Sequence, residues 1–109
     1  MIDLVTGAPR RVFVLTRDLV FRGKLGGVVA GAGGEITRDA AACDLAVIEL
    51  ESRGWEAGIR DARGRGIPVL AFGSHVNAEL LRRARELGAE AVPNSRVEAA
   101  LAQLLAASI

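Results

Sequence analysis

Four short stretches of this chain are apolar at nearly every position: "RVFVLT" at 11–16, "DLAVIEL" at 44–50, "IPVLAF" at 67–72 and the weaker "AEAV" at 89–92. A strand with one wet face alternates apolar and polar residues, whereas a strand covered on both faces does not. Runs of Val, Ile, Leu and Phe without alternation therefore predict a parallel sheet held between two layers of helix.

Helical patterns lie between the runs. In "NAELLRRARELG", Leu80, Leu81, Ala84 and Leu87 share one face, with Asn77 placed to cap the start and Gly88 the end. "SRVEAALAQLLAA" repeats Val97, Ala100, Leu101, Leu104 and Leu105 at helical spacing, and Ser95 with Glu98 has the form of a capping box. "SRGWEAGIRDARGRG" sets Trp55, Ile59 and Ala62 on one side. "RDLVFRGKLGGVVAGAGG" offers Leu19, Leu25, Val28 and Val29, but Gly23, Gly26 and Gly27 each cost about 1 kcal/mol relative to alanine in a helix, which points to close packing there. "GEITRDAAACD" must supply a second strand at Glu35 to Thr37, and the few residues left before Asp44 are too short for a full crossover helix.

These elements predict one α/β domain over 1–109, with its core at 11–107. The expected architecture is a three-layer αβα sandwich around a flavodoxin-like five-stranded parallel sheet of order 2-1-3-4-5, with a shortened second crossover. In such sheets functional groups gather at the carboxyl ends of the strands, where the strand order reverses. That point lies between the first and third strands, beside Thr16, Arg17 and Asp18 and the residues from Glu49 to Ser52. Glu49 is the anomaly, a carboxylate between Ile48 and Leu50 at the end of an apolar run.

Composition narrows the functions. Half the residues are hydrophobic, a quarter are charged, and the net charge is +1, as in an ordinary soluble globular protein. Of the 14 basic residues only Lys24 is a lysine, and the arginines are dispersed, so nucleic-acid binding is a minor alternative. The lone Cys43 excludes an intrachain disulfide and any cysteine-based metal cluster. No run is suited to spanning a bilayer, and "MIDLVTGAPRR" has an acid and a proline where a signal peptide has a basic start and a long apolar stretch. A cytoplasmic location without membrane association is expected. "GVVAGAGG" lacks the spacing of a phosphate-binding loop and ends a helix instead of opening one.

"CDLAVIEL", "IPVLAFGSH" and "AELLRRARELGAEAV" resemble the third strand, the fourth strand, and the following helix and fifth strand of the receiver domains of bacterial response regulators. The resemblance spans about residues 11 to 107, and is more specific in the second half than between 19 and 43. It implies a site for phosphoryl transfer with an acidic pair after the first strand, an aspartate at the end of the third, a Ser or Thr after the fourth and a Lys after the fifth. By position this chain has Thr16 and Arg17, Glu49, Gly73 and Ser95 in those places. Asp18 and Ser74 each stand one residue further along, and Glu51 retains a backbone carbonyl near the site.

Phosphoryl transfer relies on positioning and on charge neutralisation by Mg²⁺ held on oxygen ligands. Arg17 removes one such oxygen and adds a repelling charge. Glutamate is a methylene longer than aspartate, a displacement of about 1.5 Å that disturbs in-line geometry. The resemblance therefore implies a degenerate, stand-alone receiver acting through protein contacts, with no cofactor and no metal. Glu49 then either pairs with the Arg17 guanidinium in a metal-free carboxylate contact or is a strand-end acid facing solvent. Arg17 and Asp18 equally read as the start of the first helix. His75 reads as a loop residue leading into the next helix, Ser95 as a cap, and Trp55 as packing. Cys43 reads as structural, near the surface or in the second layer.

With the chain ending at Ile109, any effect is expected to pass through a separate protein partner or through self-association. Receivers commonly dimerise through the face that here would carry Arg82, Arg83, Arg85, Glu86 and Glu98, whose charges suit a two-fold contact. Two further alternatives use the strand-end crevice: a divergent phosphoacceptor built on Glu49, Asp18 and Ser74, and a binder of small anions through Arg17, Ser74, His75 and Arg96.

Overall fold

The computed structural model describes residues 11–106; the lead-in "GAPR" at 7–10 and residue 107 of the expected core lie outside them. The elements run β1 (Arg11–Leu15), α1 (Leu19–Gly31), β2 (Glu35–Thr37), β3 (Leu45–Glu49), α2 (Trp55–Gly64), β4 (Val69–Gly73), α3 (Ala78–Glu86), β5 (Glu90–Pro93) and α4 (Val97–Ala106), with a 3₁₀ turn at Asn94–Arg96. The five strands form one sheet of order β2-β1-β3-β4-β5, every pair parallel.

Successive strand residues point to opposite faces, so the unbroken apolar runs feed two cores. Val12, Val14, Leu45, Val47, Leu70 and Phe72 meet Leu25 and Val29 of α1 and Val97, Leu101 and Leu105 of α4. On the other side Ala46, Ile48, Val69, Ala71 and Ala91 meet Ile59 and Ala62 of α2 and Leu81 and Ala84 of α3. The small residues on this second face let α2 approach closely. A Cβ at Gly58 would lie 3.2 Å from Ile48 Cδ1 and 3.7 Å from Leu15 Cδ2.

Residues 38–44 connect β2 to β3 without a helix. Thr37 Oγ1 accepts from Asp39 N at 3.1 Å and Asp39 Oδ1 from Ala41 N at 2.9 Å, forming a compact turn. The chain re-enters the sheet where Asp44 N donates to Arg11 O at 2.8 Å. Only two helices therefore lie on the α2/α3 face, and they cover β3 and β4 better than β1. Phe13 and Leu15 are left half-buried there.

Two expectations are corrected and one alternative is decided. Leu19 does not join the buried stripe of α1; it is 79% exposed, and Leu25 and Val29 alone are fully buried in that helix. The glycines of α1 do not mark close packing, because a Cβ at Gly23, Gly26 or Gly27 would meet nothing within 4 Å. Of the two places expected for Cys43, the surface is excluded and the inner one holds: it is buried in the α2/α3 core, its Sγ donating to Ala40 O at 3.4 Å, and desolvation pushes the thiol above its ordinary pKa.

Helix ends follow local chemistry. Asp18 caps α1, its Oδ1 accepting from Val20 N at 2.8 Å and Phe21 N at 3.2 Å. Gly88, at φ 102°, lets the chain turn after α3 so that Ala89 N donates to Ala84 O at 3.0 Å. Asn77 occupies the cap position of α3 without a side-chain cap bond. Ser95 lies inside the 3₁₀ turn that precedes α4, one residue too early for the expected box with Glu98.

Candidate functional site

Because all five strands run the same way, β1 and β3 release Thr16 and Glu49 side by side at one end of the sheet. Thr16 Oγ1 donates to Glu49 Oε1 at 2.5 Å, and Arg17 N donates to the same oxygen at 3.4 Å. Thr16 Oγ1 also accepts from Asp18 N at 3.0 Å. One hydroxyl thus connects the Glu49 carboxylate to the first turn of α1. Thr16 is only 6% exposed, and its carbonyl receives the Arg22 guanidinium at 2.9 Å.

Glu49 is therefore neither of the two residues expected of it. It does not face solvent unpaired, and its partner is not the Arg17 guanidinium, which forms no ion pair with it. The geometry explains this, since the Arg17 backbone already turns its N–H toward Glu49 and its side chain is exposed. Arg17, Asp18, Glu49, Leu50, Glu51 and Ser52 line an open crevice of about 280 Å³.

The loop after β3 is held from two sides. Ser52, almost fully buried, donates its hydroxyl to the Glu49 carbonyl, and Leu50 N extends the ladder to Phe72 O at 2.8 Å. Glu51 adopts φ 76°, a left-handed conformation that costs a non-glycine residue about 1–2 kcal/mol. Its Oε2 accepts from Asn77 Nδ2 at 2.9 Å, which joins the β3–α2 loop to the start of α3. The local sequence marks Asn77 only as a cap and Ser52 only as one of the residues at the end of β3. The Asn77 contact spans 26 residues and has no local signature.

Gly73 ends β4, fully buried, where the receiver pattern has a Ser or Thr. A Cβ there would stand 3.2 Å from Leu50 Cβ and 3.3 Å from Leu50 Cδ1. A side chain at this position would therefore need Leu50 to give way by a few tenths of an ångström. Ser74 does not compensate, because its Oγ accepts from Val76 N at 3.3 Å within the turn before α3 and it does not line the crevice. His75 is exposed in that same turn, also outside the crevice lining.

The residues present do not suit Mg²⁺. The Asp18 oxygen that bonds to Val20 and Phe21 is committed to the helix cap, and one oxygen of Glu49 to Thr16 and Arg17. The remaining carboxylate oxygens share the crevice with a guanidinium-bearing residue. No group of three or more His, Cys, Asp or Glu residues is placed to hold a metal among the described residues.

The proposed anion set is divided by the fold. Arg96 lines a separate cavity beside β5 with Arg85 and Gln103, whereas Arg17 lines the crevice at β1. The expected contact face is largely engaged within the chain. Arg82 bonds to both Glu79 and Glu86, Arg83 Nε lies 2.9 Å from Glu56 Oε2 on α2, and Arg85 donates to Ala91 O at 2.8 Å. Those carboxylates hold the Arg82 and Arg83 guanidinium pKa values above their ordinary range. Glu98 lies on the exposed side of α4. No helix among the described residues is long and apolar enough to cross a membrane.

The order β2-β1-β3-β4-β5 and the two helical layers define an α/β sandwich of flavodoxin type. Solved structures specify it further as the receiver fold. NtrX from Brucella abortus superposes with a TM-score of 0.71 at 18% identity, covering 90% of this chain and 27% of that one. The chain thus spans about a quarter of NtrX. The signal receiver domain of the putative response regulator NarL from Mycobacterium tuberculosis gives 0.66 at 18% identity, with 88% and 92% covered. A putative pilus assembly-related protein from Burkholderia pseudomallei gives 0.65 at 18% identity, with 89% and 90% covered. No family model matches the sequence, and no curated protein matches it.

Proposed function

We propose that this chain is a receiver-like signalling module that works through protein contacts and does not transfer phosphoryl groups. The observation that carries the reading is the joint state of Glu49 and Gly73. At the phosphoacceptor position, Glu49 is already held by the Thr16 hydroxyl and the Arg17 amide. At the hydroxyl position stands Gly73, which has no side chain and where an added Cβ would crowd Leu50. Both bonds fall on Oε1 and leave Oε2 open, so the reading turns on the surroundings of the carboxylate: a transferred group needs donors and a cation around its equatorial oxygens. Here Thr16 and Arg17 replace the acidic pair, and Ser95 on the exposed 3₁₀ turn replaces the lysine.

The tethers at Glu49 and Glu51 favour a single arrangement of the strand-end loops, so the surface they present is fixed by the chain's own bonds. The test is an amide NMR titration with Mg²⁺, followed by acetyl phosphate or beryllofluoride, with intact mass recorded on the same samples. The expected result is no adduct and no shifts clustered at Asp18, Glu49 and Ser74. A phosphoryl mass increase abolished by Glu49→Gln would overturn the proposal.

A further inference from the structure

A second concavity, of about 390 Å³, opens between β1 and the point where the chain leaves β2, lined by Phe13, Val14, Leu15, Arg22, Thr37 and Arg38. It results from the short β2–β3 connection. β2 pairs with β1 only as far as Thr37 opposite Phe13, while β1 continues to Leu15. A parallel sheet is ordinarily covered on both faces by crossover helices. With residues 38–44 forming only a turn, the second crossover provides no such cover, and Phe13 and Leu15 remain half-buried.

We infer that this groove is a docking site for an acidic amphipathic helix of a partner protein, supplying in trans the layer that the second crossover omits. The inference rests on the reading of the chain as an interaction module, but on residues distinct from the crevice at Glu49.

Charge selects the occupant. The lining holds two arginines and no acid, so an apolar floor is flanked by cations alone. The Arg38 side chain has no hydrogen-bond or ion-pair partner among the described residues, and Arg22 is engaged through one nitrogen with Thr16 O. A guanidinium offers a planar fork of donors suited to a carboxylate. A helix with Leu or Ile on one stripe and Glu or Asp along its flanks would place the stripe on Phe13 and Leu15 and the acids at Arg22 and Arg38.

None of the helices among the described residues would provide that helix from a second copy of this chain. α1 and α3 carry more base than acid, α2 balances Glu56 and Asp61 against Arg60 and Arg63, and α4 has Glu98 as its sole charge.

The test is an amide titration of the full chain with a synthetic 18-residue amphipathic peptide bearing Leu on one face and Glu on its flanks. A peptide with the same apolar face and Lys in place of Glu serves as the comparison. Saturable shifts centred on Phe13, Leu15, Thr37 and Arg38, absent with the Lys peptide and weakened at least about tenfold by Arg38→Glu, are expected. Arg38 is exposed in the turn, so its replacement leaves the fold unchanged, as an unaltered amide spectrum elsewhere will verify. Equal binding of both peptides, shifts confined to the Glu49 crevice, silence at the groove, or self-association mapping to the same amides would each overturn the inference. The two proposals fail separately, since a phosphoryl adduct refutes the non-catalytic reading and a silent groove refutes the docking site alone.

Discussion

Replacing Thr16 by valine isolates the contact that defines the candidate site. Valine keeps the shape and removes one hydroxyl, which both donates to Glu49 Oε1 at 2.5 Å and accepts from Asp18 N at 3.0 Å. A hydrogen bond to a charged group contributes about 1.5–3 kcal/mol, and the lower half applies because Glu49 is half-buried and water can replace part of the loss. The orphaned Asp18 amide adds about 0.5–1 kcal/mol.

Thr16→Val should therefore destabilise the chain by about 2–3 kcal/mol. With a urea m-value of about 1.2 kcal/mol/M, the unfolding midpoint falls by about 2 M with the slope unchanged. Arg17→Ala leaves the backbone donor in place and removes a guanidinium that does not reach Glu49, so its effect should stay within about 0.5 kcal/mol. A double-mutant cycle of Thr16→Val with Glu49→Ala should give a coupling of about 1.5 kcal/mol. If Arg17→Ala cost as much as Thr16→Val, or if the cycle closed with no coupling, the hydroxyl would not be what holds Glu49.

Further outcomes follow from packing and backbone. Gly73→Thr forces a Cβ against Leu50 and should cost about 1–3 kcal/mol in urea unfolding. Gly23→Ala and Gly27→Ala, in an α1 where an added Cβ meets nothing, should each raise stability by about 0.5–1 kcal/mol. Gly88→Ala should do the opposite by about 1–2 kcal/mol, because φ is 102° and the new Cβ would meet Arg63 Nε at 3.2 Å. The buried Cys43 thiol has a raised pKa, so the folded chain keeps its proton where the unfolded chain releases it. Its contribution to stability is present below the ordinary thiol pKa of about 8.5 and declines as pH rises through the folded value. Denaturation curves at neutral and alkaline pH should show that decline, and Cys43→Ala should flatten it.

The strand-end crevice was legible because period and burial are local signals. "LAVIE" carries no polar residue until Glu49, which places that carboxylate at the strand end without any three-dimensional information. The short second crossover was legible by arithmetic on the residues between Thr37 and Asp44. What the sequence concealed were choices between equally local partners. Thr16 and Arg17 are adjacent, and both can bond a carboxylate, but the strand's pleat turns the Thr16 hydroxyl inward and leaves the Arg17 side chain exposed. The Ser95 box failed because the chain takes a 3₁₀ turn first, and Leu19 left the stripe because, at 3.6 residues per turn, it lies about 100° around α1 from the midline of Leu25 and Val29. The glycines of α1 misled for a different reason: close packing and tolerated exposure look alike when only residue types are visible.

The missing helix should hardly change how the chain finds its fold. The central pairing of β1 with β3 joins Val12 to Leu45. A conventional crossover would lengthen that loop by about ten residues, raising its closure cost by only about 0.2–0.3 kcal/mol. Loop entropy therefore gives little reason to omit the helix, and the folding rate should barely register its absence. The difference should appear after folding, in hydrogen exchange. β2 has a single strand neighbour over three residues and a turn beyond it, so its amides should open by local fluctuations while β3 and β4 exchange only through global unfolding.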